Sequence, residues 1–129
     1  MNIFTIGGAH YKGNCFPSLN DLLRNAEKHP RDYNNIKREM QGIAIACARR
    51  DLRGWKPSRL CRLNITWGEK RRGQVRDQDN VIGAGRKIIN DALVKCGVLK
   101  DDKPTYLVTG EDKFVYSDVP FIRVEIEEL

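Results

Sequence analysis

The chain is poor in the residues that mark metal-bound or disulfide-stapled folds. It holds two histidines and four cysteines in 129 residues. Cys15, Cys47, Cys61 and Cys96 form no CxxC pair, and His10 and His29 have no partners at ligand spacing, so no zinc pattern is present. Four reduced thiols in a cytoplasmic protein are the expectation. Cys47 and Cys96 fall on apolar helix faces and are expected to pack. No apolar run approaches the roughly 20 residues of a membrane span. The opening "MNIFTIGG" lacks a basic region followed by a long apolar core, so a secretory leader is not expected. Repeats, low-complexity runs and linkers are missing too. The length suits one domain, residues 1–129, able to bury a core without staples.

What is abundant is positive charge. There are 23 Lys and Arg against 17 Asp and Glu, a net of +6. The distribution is uneven: residues 1–100 hold 20 basic and 9 acidic residues, residues 101–129 hold 3 and 8. A basic surface over most of the chain suits a polyanion such as nucleic acid. A soluble domain that is simply basic would look the same by charge alone.

The hydrophobic pattern predicts an α+β domain, a small mixed or antiparallel sheet packed with helices. "NIFTI" (2–6) reads as a strand, and Gly7, Gly8, Gly13 and Pro17 mark the loop after it. Ser18 is a plausible N-cap for a helix over 19–28. Beyond Pro30, Tyr33, Ile36, Met40, Ile43, Ala44 and Cys47 form one stripe of a helix over 31–52. Arg31, Lys37, Arg38, Arg49 and Arg50 lie on its other face, as on most solvated helices. "RLCRLNITWG" (59–68) alternates as a strand and "EKRRGQVR" (69–76) reads as a basic loop. Residues 79–96 form the clearest helix, with Gly97 as its C′ residue. "TYLVT" (105–109), "KFVY" (113–116) and "PFIRVEI" (120–126) are expected to be strands at an antiparallel sheet edge.

Carboxylates gather around that helix. Asp77 and Asp79 stand two apart where the preceding loop ends, a spacing that projects both side chains the same way from extended backbone. Asp79 could also cap the helix. Asn80, Lys87 and Asp91 fall opposite its apolar face. Asp101 and Asp102 follow its far end. A helix of 18 residues is about 27 Å long, so the two acid groups meet only if "GVLKDD" folds back or a second subunit supplies one of them. Crowded carboxylates raise one another's pKa, and a hard cation such as Mg²⁺ or Mn²⁺ relieves that cost. Such an ion beside a phosphodiester could activate water, with Lys87 neutralising a phosphate oxygen. The plainer reading is that Asp77 and Asp79 cap a helix while Asp101 and Asp102 decorate a turn.

Other motifs fall away. "DQDNVIG" starts like a calcium loop but has Ile82 at the glycine position and Ile88 at the final glutamate. "GAGRKI" lacks the third glycine of a dinucleotide fingerprint. Gly83 and Gly85 each cost the helix about 1 kcal/mol relative to Ala. Packing accounts best for Gly85, near the apolar face. For Gly83, on the polar face, a close approach of DNA, ligand or subunit is an equal alternative.

The segment "RDQDN…K…DALVKCGVLKDD" resembles the RusA family of Holliday junction resolvases, endodeoxyribonucleases common in phages and prophages. The family pattern is a basic stretch, Asp-x-Asp-Asn, a helix with a lysine, Asp-Ala-Leu, a glycine and a closing Asp pair. Here these are Lys70, Arg71, Arg72 and Arg76; Asp77, Asp79 and Asn80; Lys87; Asp91, Ala92 and Leu93; Gly97; Asp101 and Asp102. "FPSLNDLL" and "NNIKREMQ" are similar to the phage branch in matching order. The resemblance spans most of the chain, with little signal in the last 25 residues. It implies an α+β homodimer with no membrane role that cuts paired strands at four-way DNA junctions with Mg²⁺, Mn²⁺ being possible. Asp77, Asp79 and Asp102 would be the metal carboxylates and Lys87 the catalytic lysine. Lys70, Arg71, Arg72, Arg76 and Arg86 would meet DNA, and Asp91 would play a supporting role. The shortest family members have one helical turn less before the lysine. Counting back from Asp91 puts Lys87 in register, while counting forward from Asp79 points to Gly83; Arg86 is the fallback for Lys87. "GQV" also interrupts the basic run. A non-cleaving junction- or DNA-binding phage protein of the same fold is the alternative.

Overall fold

The computed structural model describes residues 2–73 and 75–129. Gln74, inside the predicted basic loop and its "GQV" break, lies outside the described residues. The elements in chain order are β1 (Ile3–Gly7), α1 (Leu19–Lys28), α2 (Pro30–Leu52), β2 (Cys61–Lys70), α3 (Gln78–Lys95), β3 (Leu107–Val108), β4 (Asp112–Ser117) and β5 (Phe121–Glu128). The fold is α+β, a five-stranded mixed sheet with three helices.

Local chemistry sets the helix ends. Ser18 accepts a hydrogen bond from the Asp21 amide while the Asp21 carboxylate accepts one from the Ser18 amide, a closed capping box at the start of α1. Pro30 opens α2 at the first-turn position where its missing N–H costs nothing. Gly97 takes φ +81 just past α3. The Val98 and Leu99 amides donate back to the Leu93 carbonyl, and Leu99 is buried, so the chain reverses there.

The sheet order is β1-β5-β2-β3, with β4 also paired to β2. β5 runs antiparallel to both β1 and β2 and sits between them. β3 and β4 run parallel to β2, β3 beside Cys61–Arg62 and β4 beside Ile65–Lys70. This corrects the expected antiparallel edge over 105–126. The last strand enters the middle of the sheet, and the two before it are parallel neighbours of β2 on its other side. Between them, a Cβ on Gly110 would lie 1.8 Å from the Leu63 carbonyl oxygen, so only glycine fits there.

Alternation along the strands separates the two faces. Phe4 and Ile6, Cys61, Leu63, Ile65 and Trp67, and Ile122, Val124 and Ile126 are buried. They form one core with Met40, Ala44, Ala48 and Leu52 of α2 and Val81, Ile88, Ile89, Ala92 and Leu93 of α3. Cys47 and Cys96 pack against that core, and all four thiols are free. The free edge of β1 is closed by the end of α2: the Thr5 amide donates to Asp51, and Arg50 donates to the Thr5 carbonyl. Two charged side chains thus occupy backbone groups that would otherwise template another strand. No helix is long and apolar enough to cross a membrane among the described residues.

Candidate functional site

Asp77 is the N-cap of α3. Its backbone is extended, and its Oδ1 accepts from the Asp79 amide at 2.9 Å. The cap is therefore Asp77 and not Asp79, which stands in the first turn where the helix dipole favours a negative charge. Both carboxylates are exposed. β2 delivers the chain to this point and carries Lys70 at its end, so the predicted loop at 69–70 is strand.

The reversal after α3 brings Asp102 back along the helix. Lys87 Nζ lies 3.2 Å from Asp91 Oδ1 and 3.9 Å from Asp102 Oδ2. The hydrogen bond from Asp91 first, then its charge and that of Asp102, hold the Lys87 ammonium above its ordinary pKa. Lys87 is thus a fixed cation at neutral pH, more than half exposed. The "GVLKDD" segment does fold back, but only as far as Lys87. That residue is eight positions after Asp79, about 12 Å along the axis. In one protomer the expected site residues therefore form two groups, Asp77 with Asp79 and Lys87 with Asp91 and Asp102. Among the described residues no three His, Cys, Asp or Glu side chains are gathered to hold a metal ion. The donor set at Asp77 and Asp79 still suits Mg²⁺, which is commonly held by one or two carboxylates while water and substrate phosphate complete its shell. A three-carboxylate cage including Asp102 is not assembled.

The basic residues divide as well. Arg71 and Arg72 are exposed; the Arg71 guanidinium donates to the Tyr116 carbonyl at 3.3 Å and makes a loose 3.7 Å pair with Asp118. Arg76 is internal. Its Nε and Nη2 donate to both oxygens of Glu69 at 2.9 and 2.8 Å, and its Nη1 donates to the Phe16 carbonyl at 2.7 Å. Arg76 and Glu69 are 12% and 10% exposed, so this is a buried bidentate pair tying β2, the N-terminal loop and the entry to α3. Arg86 is also committed. It donates to Asp112, to the Leu63 carbonyl and to the Glu111 carbonyl, closing the break between β3 and β4. Asp112 accepts from the Trp67 indole too. Trp67 in turn lies against Gly85, where a Cβ would fall 2.4 Å from the ring. Gly85 is thus a packing glycine. Gly83 is exposed, and the nearest atom to its Cβ position is 3.9 Å away.

Lys12, Asn14, Asn20 and Arg24 escaped the sequence reading. With Asp21, Lys70, Asn80, Arg76 and Asp77 they line a polar cavity of about 450 Å³ between the N-terminal loop, α1 and the start of α3. A basic residue at a glycine-flanked turn, "YKGN", was the one local signal.

The chain matches no protein-family model in a scan of such models, and a search of curated proteins finds no match either.

Proposed function

We propose that the protein is a metal-dependent endonuclease acting on branched DNA, with four-way junctions as the substrate class. The observation that carries the reading is the pair of exposed carboxylates at the N-terminus of α3, Asp77 in the wall of a cavity that also holds Lys12, Arg24, Lys70 and Arg76, and Asp79 in the first helical turn beside it. A negative backbone would be drawn to Lys70, Arg71, Arg72 and Lys12, and the local acids would otherwise oppose it. A bound Mg²⁺ or Mn²⁺ would supply Lewis-acid charge at the phosphodiester and a more acidic water.

The chain's own residues do the rest. Asp77 and Asp79 would hold the ion, with Asp77 fixed in place by its cap bond to the Asp79 amide. Lys87 keeps its proton and offers positive charge to phosphate oxygens. Asp91 aims it. Asp102, as a third carboxylate, requires the turn after α3 to move along the polar face toward Asp79 when a strand binds. Arg76 supports the reading by holding a wall of the cavity, and Arg86 ties α3 to the sheet; neither is a free phosphate contact. A two-fold dimer would present two such sites to a two-fold junction.

The test is a synthetic four-way junction with Mg²⁺ and with Mn²⁺. Asp77→Asn keeps a good N-cap oxygen while removing the charge. Loss of cleavage with retained binding supports the nuclease; a wild-type protein that binds but never cuts favours the non-cleaving junction binder.

A further inference from the structure

We propose that the cavity between the N-terminal loop, α1 and the start of α3 takes up one unstacked nucleotide of a DNA strand. This rests on the nucleic-acid reading above and adds to it a ligand unit and a set of residues. The volume, about 450 Å³, lies within the range of small-ligand pockets, roughly 300–1,000 Å³. Its wall holds cations, amides and two carboxylates, Asp21 and Asp77. Lys12 and Lys70 are cations with no carboxylate within ion-pair distance among the described residues, whereas Arg24 has Asp21 at 3.7 Å. Lys12 rests over the Tyr11 ring, and Asp21 is taken up by the Ser18 amide and Arg24, so both ammonium groups keep their charge available to an anion entering the concavity.

The turns are built around those ammonium groups. A Cβ on Gly13 or on Gly73 would stand 3.3 Å from Lys70 Nζ, and both glycines have positive φ, +82 and +98. Side chains there would strain the backbone and crowd the ammonium. Lys12 itself adopts φ +46, a conformation that a residue with a Cβ rarely takes. Paired hydrogen bonds between the backbones of Tyr11 and Asn14 hold that turn in place. Strain of this kind is kept where a side chain must be aimed.

Three further groups are amides. Asn14, Asn20 and Asn80 line the cavity, and among the described residues no side-chain amide of the three is engaged by another protein group. An asparagine amide presents a donor and an acceptor side by side, which is what the edge of an unpaired base requires. The geometry thus supplies cations for a phosphate and amides for a base in one enclosure next to Asp77.

The experiment uses full-length Asp77→Asn protein, so that the strand stays whole, and a four-way junction carrying 2-aminopurine near the crossover. Uptake of the base unstacks it and raises its fluorescence several-fold. The rise is expected with Asp77→Asn alone and lost when Lys12→Glu or Asn20→Leu is added, with thermal melts showing the fold intact. Lys12→Glu should also reduce the salt dependence of junction binding by about one phosphate contact. Deoxyadenosine 5′-monophosphate separates a strand-borne from a free ligand. Tight binding of it with no fluorescence change in the junction would overturn the strand assignment. Unchanged fluorescence and affinity in Lys12→Glu and Asn20→Leu would overturn the inference, even if wild type cuts the junction. Conversely, wild type that fails to cut with any metal while the Lys12-dependent rise persists removes the nuclease and leaves the cavity's ligand standing.

Discussion

Replacing Arg76 with alanine should cost the protein much of its stability, beyond any loss of a phosphate contact. The guanidinium spans both oxygens of Glu69 and the Phe16 carbonyl in a site where both charged partners are about nine-tenths buried. Truncation strands the Glu69 carboxylate without a counter-charge, which typically costs about 3–5 kcal/mol. Domains of this size hold about 5–15 kcal/mol in total. At about 2.1 cal/mol/K per residue over 129 residues, the unfolding entropy is about 0.27 kcal/mol/K, so Tm should fall by about 11–18 °C. The control is Arg71→Ala, which removes an exposed side chain with one 3.3 Å surface hydrogen bond to the Tyr116 carbonyl and a 3.7 Å ion pair, and should change stability by less than about 1 kcal/mol. Glu69→Leu combined with Arg76→Met should recover most of the loss, because removing both charges removes the desolvation problem. Urea and thermal denaturation followed by circular dichroism would measure all three. An Arg76→Ala protein with a Tm within about 3 °C of wild type and a sharply lower DNA affinity would refute the reasoning and return Arg76 to the DNA surface.

Gly85→Ala should destabilise by about 1–3 kcal/mol because its Cβ meets the Trp67 ring at 2.4 Å, whereas Gly83→Ala, whose Cβ would make only an ordinary contact with Leu19 at 3.9 Å, should stabilise by about 0.5–1 kcal/mol; chemical denaturation separates them. The Arg50 hydrogen bond, ahead of the other contributions, holds Asp51 below the ordinary carboxylate pKa. Its stabilisation is therefore complete above the unfolded value, near 3.9, and is lost as pH falls through the lower folded value. Asp51→Asn should flatten the acid limb of the Tm–pH profile, and an unchanged limb would exclude the edge pair as a contributor. Burial pushes the Cys15 thiol up to about 12. Iodoacetamide at pH 8 should leave Cys15 unmodified in the native protein and alkylate it once urea unfolds the chain, as read by mass spectrometry.

Elements set by local chemistry were legible in the residues. The Ser18 cap, the break at Pro30, the apolar faces of α2 and α3, the turn at Gly97 and the packing role of Gly85 each depend on spacing within a few positions. The parallel pairing of β3 and β4 was not legible. Their short apolar runs carry no mark of direction, and it is Gly110 against Leu63 and Arg86 against Glu111 that set the geometry. Arg76 and Arg86 look like any other basic residue in a basic chain. Their roles depend on Glu69 and Asp112, and the Arg86–Asp112 contact joins residues 26 apart. A lone acid in "EKRRGQVR" was the only hint at the first of these. The acids of the candidate site were visible as a pattern. Their division into two groups follows from how far the Leu93–Leu99 reversal carries the chain back, which spacing alone does not determine.

The role proposed for Asp77 and Asp79 is to hold a hard cation against a DNA backbone. Its most direct test is cleavage of a labelled four-way junction by wild type and Asp77→Asn, with Mg²⁺, with Mn²⁺ and with chelator. Wild type is expected to nick the junction only with metal, and the variant to bind it without nicking. Cleavage that persists in Asp77→Asn, or that needs no divalent ion, would contradict it.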